Sequence, residues 1–184
     1  DEELVAQLGL KEVGSELEEL FKPEVLLEIL QNFSLFSTDN KNKRIKIIPR
    51  YQQYDGAHKI LHRVMENQIK QGLVWHFQGS GKSLLMVFAA QMLRRHPQLK
   101  SPTVIILVDR IDLDTQITGT FSSADIPNLV AVESIRDLNA LLEQDTRKII
   151  ITTIYKFKDA TENMSTRDNI IVMADEAHRT QEGD

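Results

Sequence analysis

The sequence predicts an α/β fold, a three-layer α/β/α sandwich in which a mainly parallel sheet lies between two layers of helices. Three continuous apolar runs rich in β-branched residues, at 103–109, 148–153 and 169–175, indicate strands buried on both faces. Helical patterns alternate with these runs, as they do in chains whose parallel strands are joined by crossover helices. A short glycine-rich loop at 79–83 leads into one of the helices.

The N-terminal part of the chain is expected to be helical. Pro23 suits the first turn of a helix through "KPEVLLEILQNF", whose aliphatic side chains supply an apolar face. A cluster of polar, turn-forming residues at 37–43 indicates a boundary. We therefore expect a short helical segment over 1–45 and an α/β domain over 46–184.

The middle of the chain supplies the elements around the glycine-rich loop. A helix is predicted over 53–71, and the short apolar run at 73–75 is a candidate strand. The helix over 82–96 is apolar on most sides, as expected of a helix packed against a sheet. "NLVAV" is a further short strand, and the spacing of Ser134 and Asp137 is typical of a capping box that opens the next helix.

Composition narrows the class of protein. The chain has 184 residues, of which 41% are hydrophobic and 27% charged, as in ordinary globular domains. It has no cysteine, which excludes disulfides and thiolate metal sites. No apolar run approaches about 18 residues and no signal peptide is recognisable, so we expect a cytoplasmic protein without a membrane partner. Because the chain begins at Asp1 rather than at a methionine, we expect it to be part of a longer protein.

Charge is unevenly distributed along the chain. The net charge is −5, yet residues 41–50 carry five basic and no acidic side chains. This basic run is either a solvated loop or a patch that contacts phosphates. Charge alone therefore leaves the partner open.

The glycine-rich loop fits a phosphate-binding pattern. Its residues are Gly79, Ser80, Gly81, Lys82 and Ser83. They match the end of G-x-x-x-x-G-K-[ST], although His76 stands where that pattern has its first glycine. In such a loop, backbone N–H groups and the start of the following helix surround phosphates, the lysine reaches the outer phosphates, and the hydroxyl reaches Mg²⁺. The simpler alternative is a glycine turn that caps an ordinary helix.

Two carboxylates follow the last predicted strand, "IIVMAD". A carboxylate at the C-terminal end of a parallel strand faces the crevice where ligands bind in open α/β sheets. Beside a phosphate-binding loop, Asp175 is placed to hold Mg²⁺ with Ser83, and Glu176 to orient or deprotonate the attacking water. The simpler alternative is a pair of solvated acids. Taken together, the loop and the acids predict a site for phosphate groups and Mg²⁺, in which Lys82 reaches the outer phosphates.

A phosphate-binding loop followed by Asp-Glu-Ala-His resembles the first, RecA-like motor domain of superfamily 2 helicases and translocases. Five segments together resemble, more particularly, the R subunit of type I restriction enzymes, which is the motor and nuclease subunit of a DNA restriction complex. The segments are "PRYQQYDGAHKI", "GLVWHFQGSGKSLLM", "ILVDRIDLDTQ", "TTIYKF" and "IIVMADEAHRTQ". In that family a Trp-His pair precedes the loop, so His76 fits the family form. The resemblance is strong over 46–184 and looser over 1–45, where it implies a helical linker between nuclease and motor.

The resemblance implies roles for further residues. It implies that a glutamine of "RYQQ" reads adenine, with Gln52 as the first choice and Gln53 as the alternative. It also implies that Gln78 belongs to the nucleotide site and that His178 couples the nucleotide to neighbouring motifs. Contacts to the DNA backbone are implied for Arg110, Thr152, Thr153 and Lys156.

The activity that the resemblance implies is ATP-driven translocation of double-stranded DNA before cleavage. Methyltransferase and specificity subunits would be the protein partners. The nuclease constellation of that family, an Asp followed by Glu-x-Lys, does not occur in this sequence, and its second motor domain with an arginine finger would lie beyond Asp184. Residues 1–184 alone are therefore expected to be inactive. Two alternatives stay open, namely another superfamily 2 motor and a nucleotide-binding switch that moves no DNA.

Overall fold

The computed structural model of the chain describes residues 18, 21–38, 43–66, 68–77, 79–108, 126, 128–132, 134–155 and 165–175. Its α-helices are α1 (Pro23–Asn32), α2 (Tyr51–Glu66), α3 (Lys82–Arg95) and α4 (Ile135–Glu143). Its strands are β1 (Leu35–Thr38), β2 (Arg44–Ile47), β3 (Thr103–Val108), β4 (Leu129–Ala131), β5 (Ile149–Thr153) and β6 (Ile170–Ala174). Within these ranges, no helix combines the length and the apolar character needed to cross a membrane.

The central sheet has four parallel strands in the order β4-β5-β3-β6. Val104 of β3 pairs with Ile149 of β5 on one side and with Ile171 of β6 on the other. The predicted parallel sheet is confirmed, and each of its strands begins and ends within one residue of the predicted position. Strands β3 and β5 are buried on both faces as predicted. For β6 the prediction of burial on both faces is wrong, because this strand pairs only with β3 among the described strands and leaves Val172 and Ala174 exposed.

Side chains of the central strand alternate between two hydrophobic clusters. Val104 and Ile106 belong to the cluster that contains the buried side of α3. Ile105, which points the other way, packs with Leu138 and Leu142 of α4. Helices therefore cover both faces of the sheet, and the predicted three-layer α/β/α arrangement is confirmed. Ser134 opens α4 by accepting a hydrogen bond from the backbone N–H of Asp137 at 3.1 Å, as the predicted helix start requires.

Helix α3 is enclosed between the sheet and α2. Every residue from 85 to 93 is buried, in agreement with the prediction that this helix is apolar on most sides. A Cβ atom added at Gly56 of α2 would lie 3.1 Å from a Cδ atom of Leu85, so the missing side chain lets the two helices approach closely. The start of α3, and the loop that precedes it, is thereby anchored in the core.

Strands β1 and β2 form an antiparallel hairpin that the sequence did not predict. The hairpin includes the first two residues of the polar cluster at 37–43, where the sequence indicates a boundary. Its register pairs Leu35 with Ile47 and Thr38 with Arg44. Both strands are short and one is exposed along most of its length, so neither carries a strong apolar pattern.

The segment before the hairpin packs on the α/β layers. Phe33 and Leu35 lie in the same hydrophobic cluster as α3. The hydroxyl of Tyr54, on α2, donates a hydrogen bond to the carboxylate of Glu28, on α1, at 2.7 Å. Helix α1 is therefore held against α2, and the division of the chain at residue 45 stays a prediction.

The apolar run at 73–75 is not a strand, contrary to the prediction. Residues 71–77 have no regular secondary structure. Leu73 and Trp75 are 79% and 89% exposed. A strand requires a neighbour that completes its ladder of hydrogen bonds, and none of the described strands pairs with this run. Helix α2 also ends at Glu66, earlier than the predicted 71.

Candidate nucleotide-binding site

The loop before α3 has the backbone conformation that its glycines permit. Gly79 has φ of +80° and Gly81 has φ of +82°, a left-handed region that side chains with a Cβ atom rarely adopt. Gly81 is the N-cap of α3, and its carbonyl accepts the first helical hydrogen bond from the N–H of Leu85 at 3.1 Å. The loop therefore turns sharply into a long, buried helix.

Two features of the loop fit a polar ligand. A Cβ atom added at Gly79 would meet no atom of the described chain within 4 Å, so the backbone there is open to close approach. Ser80 is only 3% exposed, and its hydroxyl finds no hydrogen-bond partner in the described part of the chain. A buried polar atom without a partner is costly, and a phosphate oxygen or a water would satisfy it. A phosphate group therefore fits this loop.

Lys82 and Ser83 form the first turn of α3, and both are partly exposed. The first N–H groups of a helix have no partner within the helix and carry partial positive charge. An ammonium and a hydroxyl at this position add a cation and a metal-binding oxygen to the same end of the helix. The predicted loop residues are thus gathered at one helix start.

Gln53 is attached to the loop, whereas Gln52 is not. The side-chain N–H groups of Gln53 donate to the carbonyl oxygen of Gly81 at 3.0 Å and to that of Ser80 at 3.4 Å. Its side-chain oxygen accepts from the backbone N–H of Arg50 at 2.8 Å. Gln53 is buried and Gln52 is exposed. Which of the two contacts adenine stays a prediction.

Helix periodicity was the signal that separates the two glutamines. The buried residues of α2 are Gln53, Gly56 and Ala57. Their spacing of three and four residues places them on one helix face. Gln52 is one position off that face.

His76 packs against α2. Its Nε2 atom lies 3.5 Å from the position that a Cβ atom at Gly56 would take. The imidazole, which replaces the first glycine of the general loop pattern, therefore covers the point where α2 carries no side chain. His76 is partly buried there.

Asp175 marks the carboxyl end of the sheet. It directly follows β6, is partly buried, and donates its backbone N–H to the carbonyl oxygen of Leu107 in β3 at 2.9 Å. Ile154 is held in the same way at the end of β5, by a hydrogen bond of 3.1 Å to Val108. The sheet thus fixes the backbone of Asp175 at the edge where ligands of parallel sheets bind.

The remaining predicted residues fall into two groups. Thr152 and Thr153 are buried in β5, and the Thr152 hydroxyl donates to the carbonyl of Val132 at 3.3 Å. Their contact with DNA stays a prediction. The others lie outside the described residues, namely Gln78, Arg110, Lys156, Glu176 and His178. Among the described residues, no group of three or more His, Asp or Glu side chains is arranged to hold a metal ion.

Comparison with known families identifies the class of protein. Residues 52–184 match the family model described as SWI2/SNF2 ATPase. The match covers more than half of the chain and includes all but the first residue of α2, the loop, and the strand that precedes Asp175. The chain therefore belongs to the SWI2/SNF2 ATPase family, and the predicted RecA-like motor fold is confirmed.

Individual curated relatives indicate one group of proteins within this class. The chain is 38% identical to the type I restriction enzyme HindI endonuclease subunit of Haemophilus influenzae, over 94% of this chain and 18% of that protein. It is 36% identical to a candidate type I restriction enzyme MjaIXP endonuclease subunit of Methanocaldococcus jannaschii, over 89% of this chain and 16% of that protein. A relative from Staphylococcus saprophyticus, the type I restriction enzyme SsaAORF53P endonuclease subunit, is 30% identical over 85% of this chain and 17% of its own length. The resemblance to type I restriction subunits is confirmed, and the chain spans less than a fifth of each of these relatives.

Proposed function

We propose that the chain is the ATP-binding part of the motor in the restriction subunit of a type I restriction-modification enzyme. ATP hydrolysis there drives translocation of double-stranded DNA, and a nuclease in another part of the protein cleaves it. The observation that carries this proposal is the loop at 79–83, which has two left-handed glycines and leads into a helix that is buried from 85 to 93. Similarity to type I restriction endonuclease subunits supports the DNA substrate.

A separate chemical role is proposed for each residue of the site. Lys82 attracts the β- and γ-phosphates by its charge, because a charge-assisted contact is about twice as strong as a neutral one. Ser83 and Asp175 supply the oxygen atoms that Mg²⁺ prefers. Mg²⁺ held by these two residues would neutralise charge that develops on the phosphate oxygens. Glu176 orients the attacking water and accepts its proton.

DNA and partner proteins belong to the same proposal. Arg110, Thr152, Thr153 and Lys156 contact the DNA backbone. Methyltransferase and specificity subunits complete the complex, in the cytoplasm and without a membrane partner. Residues 46–184 form most of the first motor domain, and residues 1–45 connect it to the nuclease.

The arginine that stabilises the transition state belongs to a second motor domain. Such arginine fingers contribute about 10³–10⁵ in rate. Residues 1–184 by themselves are therefore expected to bind ATP with Mg²⁺ and to hydrolyse it hardly at all.

The experiment that tests the function uses the full-length protein assembled with its methyltransferase and specificity subunits. Phosphate release is measured with ATP and Mg²⁺, with and without double-stranded DNA that carries the recognition site. Displacement of a triplex-forming strand from the same DNA reports translocation. We expect DNA-dependent hydrolysis together with strand displacement. ATP binding without DNA-dependent hydrolysis would favour a nucleotide switch, and stimulation by RNA alone would favour another kind of superfamily 2 motor.

A further inference from the structure

We propose that Gln53 is a positioning residue that holds the loop at 79–83 in its phosphate-binding shape. The inference rests on the proposed nucleotide binding and assigns to Gln53 a task other than reading adenine. Its basis is the set of three hydrogen bonds that join α2 to the loop.

The chemistry of its partners fixes the orientation of the Gln53 amide. The backbone N–H of Arg50 can only donate, so the atom that it contacts at 2.8 Å must be the side-chain oxygen. The carbonyls of Ser80 and Gly81 can only accept, so the atom that they share must be the side-chain nitrogen. All three contacts agree on one orientation.

The two N–H groups of this amide are both used by the protein. A primary amide has two donors, and the carbonyls at 3.0 and 3.4 Å take them. Gln53 is also 2% exposed. A base edge that needs a donor from Gln53 would have to break a contact to the loop. Adenine reading and loop positioning therefore compete for the same two hydrogen atoms.

Holding two carbonyls has a direct effect on the neighbouring N–H groups. In a trans peptide unit the C=O and the N–H point in opposite directions. The carbonyls of Ser80 and Gly81 are drawn toward α2, so the N–H groups of Gly81 and Lys82, in the same peptide units, are turned away from α2. Those N–H groups lie at the start of α3, where an anion is attracted by donors and by the helix dipole. Together with the N–H of Leu85, which holds the Gly81 carbonyl from within α3, Gln53 thus keeps carbonyl oxygens, which would repel phosphate, out of the site.

Gly81 shows how close this contact is. A Cβ atom at Gly81 would collide with the side-chain nitrogen of Gln53. The glycine therefore serves the contact with α2 as well as the left-handed turn.

The test replaces Gln53 with an isosteric side chain that cannot donate. Gln53→Glu keeps the acceptor for Arg50 and places a carboxylate oxygen against two carbonyl oxygens. Calorimetric titration of the full-length protein compares ATP, GTP and inorganic tripolyphosphate, each with Mg²⁺. We expect Gln53→Glu to weaken the binding of all three by a similar factor of about ten or more, on the scale of one or two lost hydrogen bonds. Gln98→Glu, the same change at an exposed glutamine far along the chain, is the matched control and should leave all three unchanged.

A second variant and a ligand-free measurement keep the test decisive. Gln53→Met removes the amide without adding charge and should give the same uniform loss. In both variants, hydrogen exchange of the loop peptide should become faster without any nucleotide. A misfolded fraction would lower the binding stoichiometry and leave the dissociation constant of the remainder unchanged.

Two outcomes would overturn the positioning role of Gln53, and a third would overturn the proposed function together with it. Loss of ATP binding alone, with tripolyphosphate binding retained, would mean that Gln53 reads adenine. Unchanged affinity for all three would mean that the loop keeps its shape without Gln53. If the unaltered protein binds none of the three, the proposed function itself fails, and the positioning role fails with it.

Discussion

The backbone N–H of Asp175 donates to the carbonyl oxygen of Leu107 at 2.9 Å, so the residue after β6 continues the ladder with β3. The position of Asp175 is therefore set by the sheet rather than by a loose loop. If Asp175 binds Mg²⁺ as proposed, so rigid a position would cost little entropy.

Asp175→Asn should weaken the binding of Mg²⁺ at the site and leave the fold intact. The amide keeps the size of the side chain and removes its charge. We expect the Mg²⁺ concentration for half-maximal ATPase activity of the full-length protein to rise by about tenfold or more. Asp168→Asn, at an exposed site before β6, is the control. An unchanged Mg²⁺ titration curve would remove Asp175 from the metal site.

Lys82→Ala should reduce affinity for ATP. The variant loses a charge-assisted contact to phosphate, which is worth about 1.5–3 kcal/mol. Calorimetric titration of the full-length protein with ATP and Mg²⁺ measures the change. Lys100→Ala, at an exposed position beyond the other end of α3, should bind as the unaltered protein does. Equal affinity in the two variants would refute the assignment of the loop to phosphate.

Glu176→Gln should separate binding from hydrolysis. The amide can still contact water but cannot accept its proton, so turnover should fall by at least about 10²-fold. ATP affinity should stay near that of the unaltered protein. Phosphate-release and binding assays on the full-length protein measure the two quantities, with Glu143→Gln at the exposed end of α4 as the control. If Glu176→Gln turns over normally and Asp175→Asn does not, another residue is the base.

Gly79→Ala and Gly81→Ala should differ in their effects on the loop. Both substitutions force alanine into a left-handed conformation, at a cost of about 1–2 kcal/mol. Only Gly81→Ala also drives a methyl group into the side chain of Gln53. We expect faster hydrogen exchange at the start of α3 in both variants, and the larger increase in Gly81→Ala. Equal increases would mean that the contact with Gln53 does not constrain the loop.

Local pattern sufficed for β3, β5 and α3 because nearly all of their residues are buried from both sides. A run such as "TVIILV" puts apolar side chains on both faces of a strand, so the strand is stable only where both faces are covered. The same holds for 85–93 in α3, where every position is enclosed.

The local sequence pattern did not predict elements whose structure depends on a partner distant in the sequence. The hairpin at 35–47 is defined by the pairing of two weak strands, and the apolar run at 73–75 finds no partner among the described strands. At the candidate site, the motif predicted the loop but not its attachment to α2. That attachment depends on which of two adjacent glutamines faces inward, and only the position of Gly56 and Ala57 on the helix reveals it.

Gln53 and Tyr54 are neighbours on α2, and they hold different parts of the chain. Gln53 holds the loop, and Tyr54 holds Glu28 of α1. Both attachments fall within the first turn of one helix, with no flexible connection between them. Because the two side chains leave one rigid turn, the loop and α1 share a single anchor on α2.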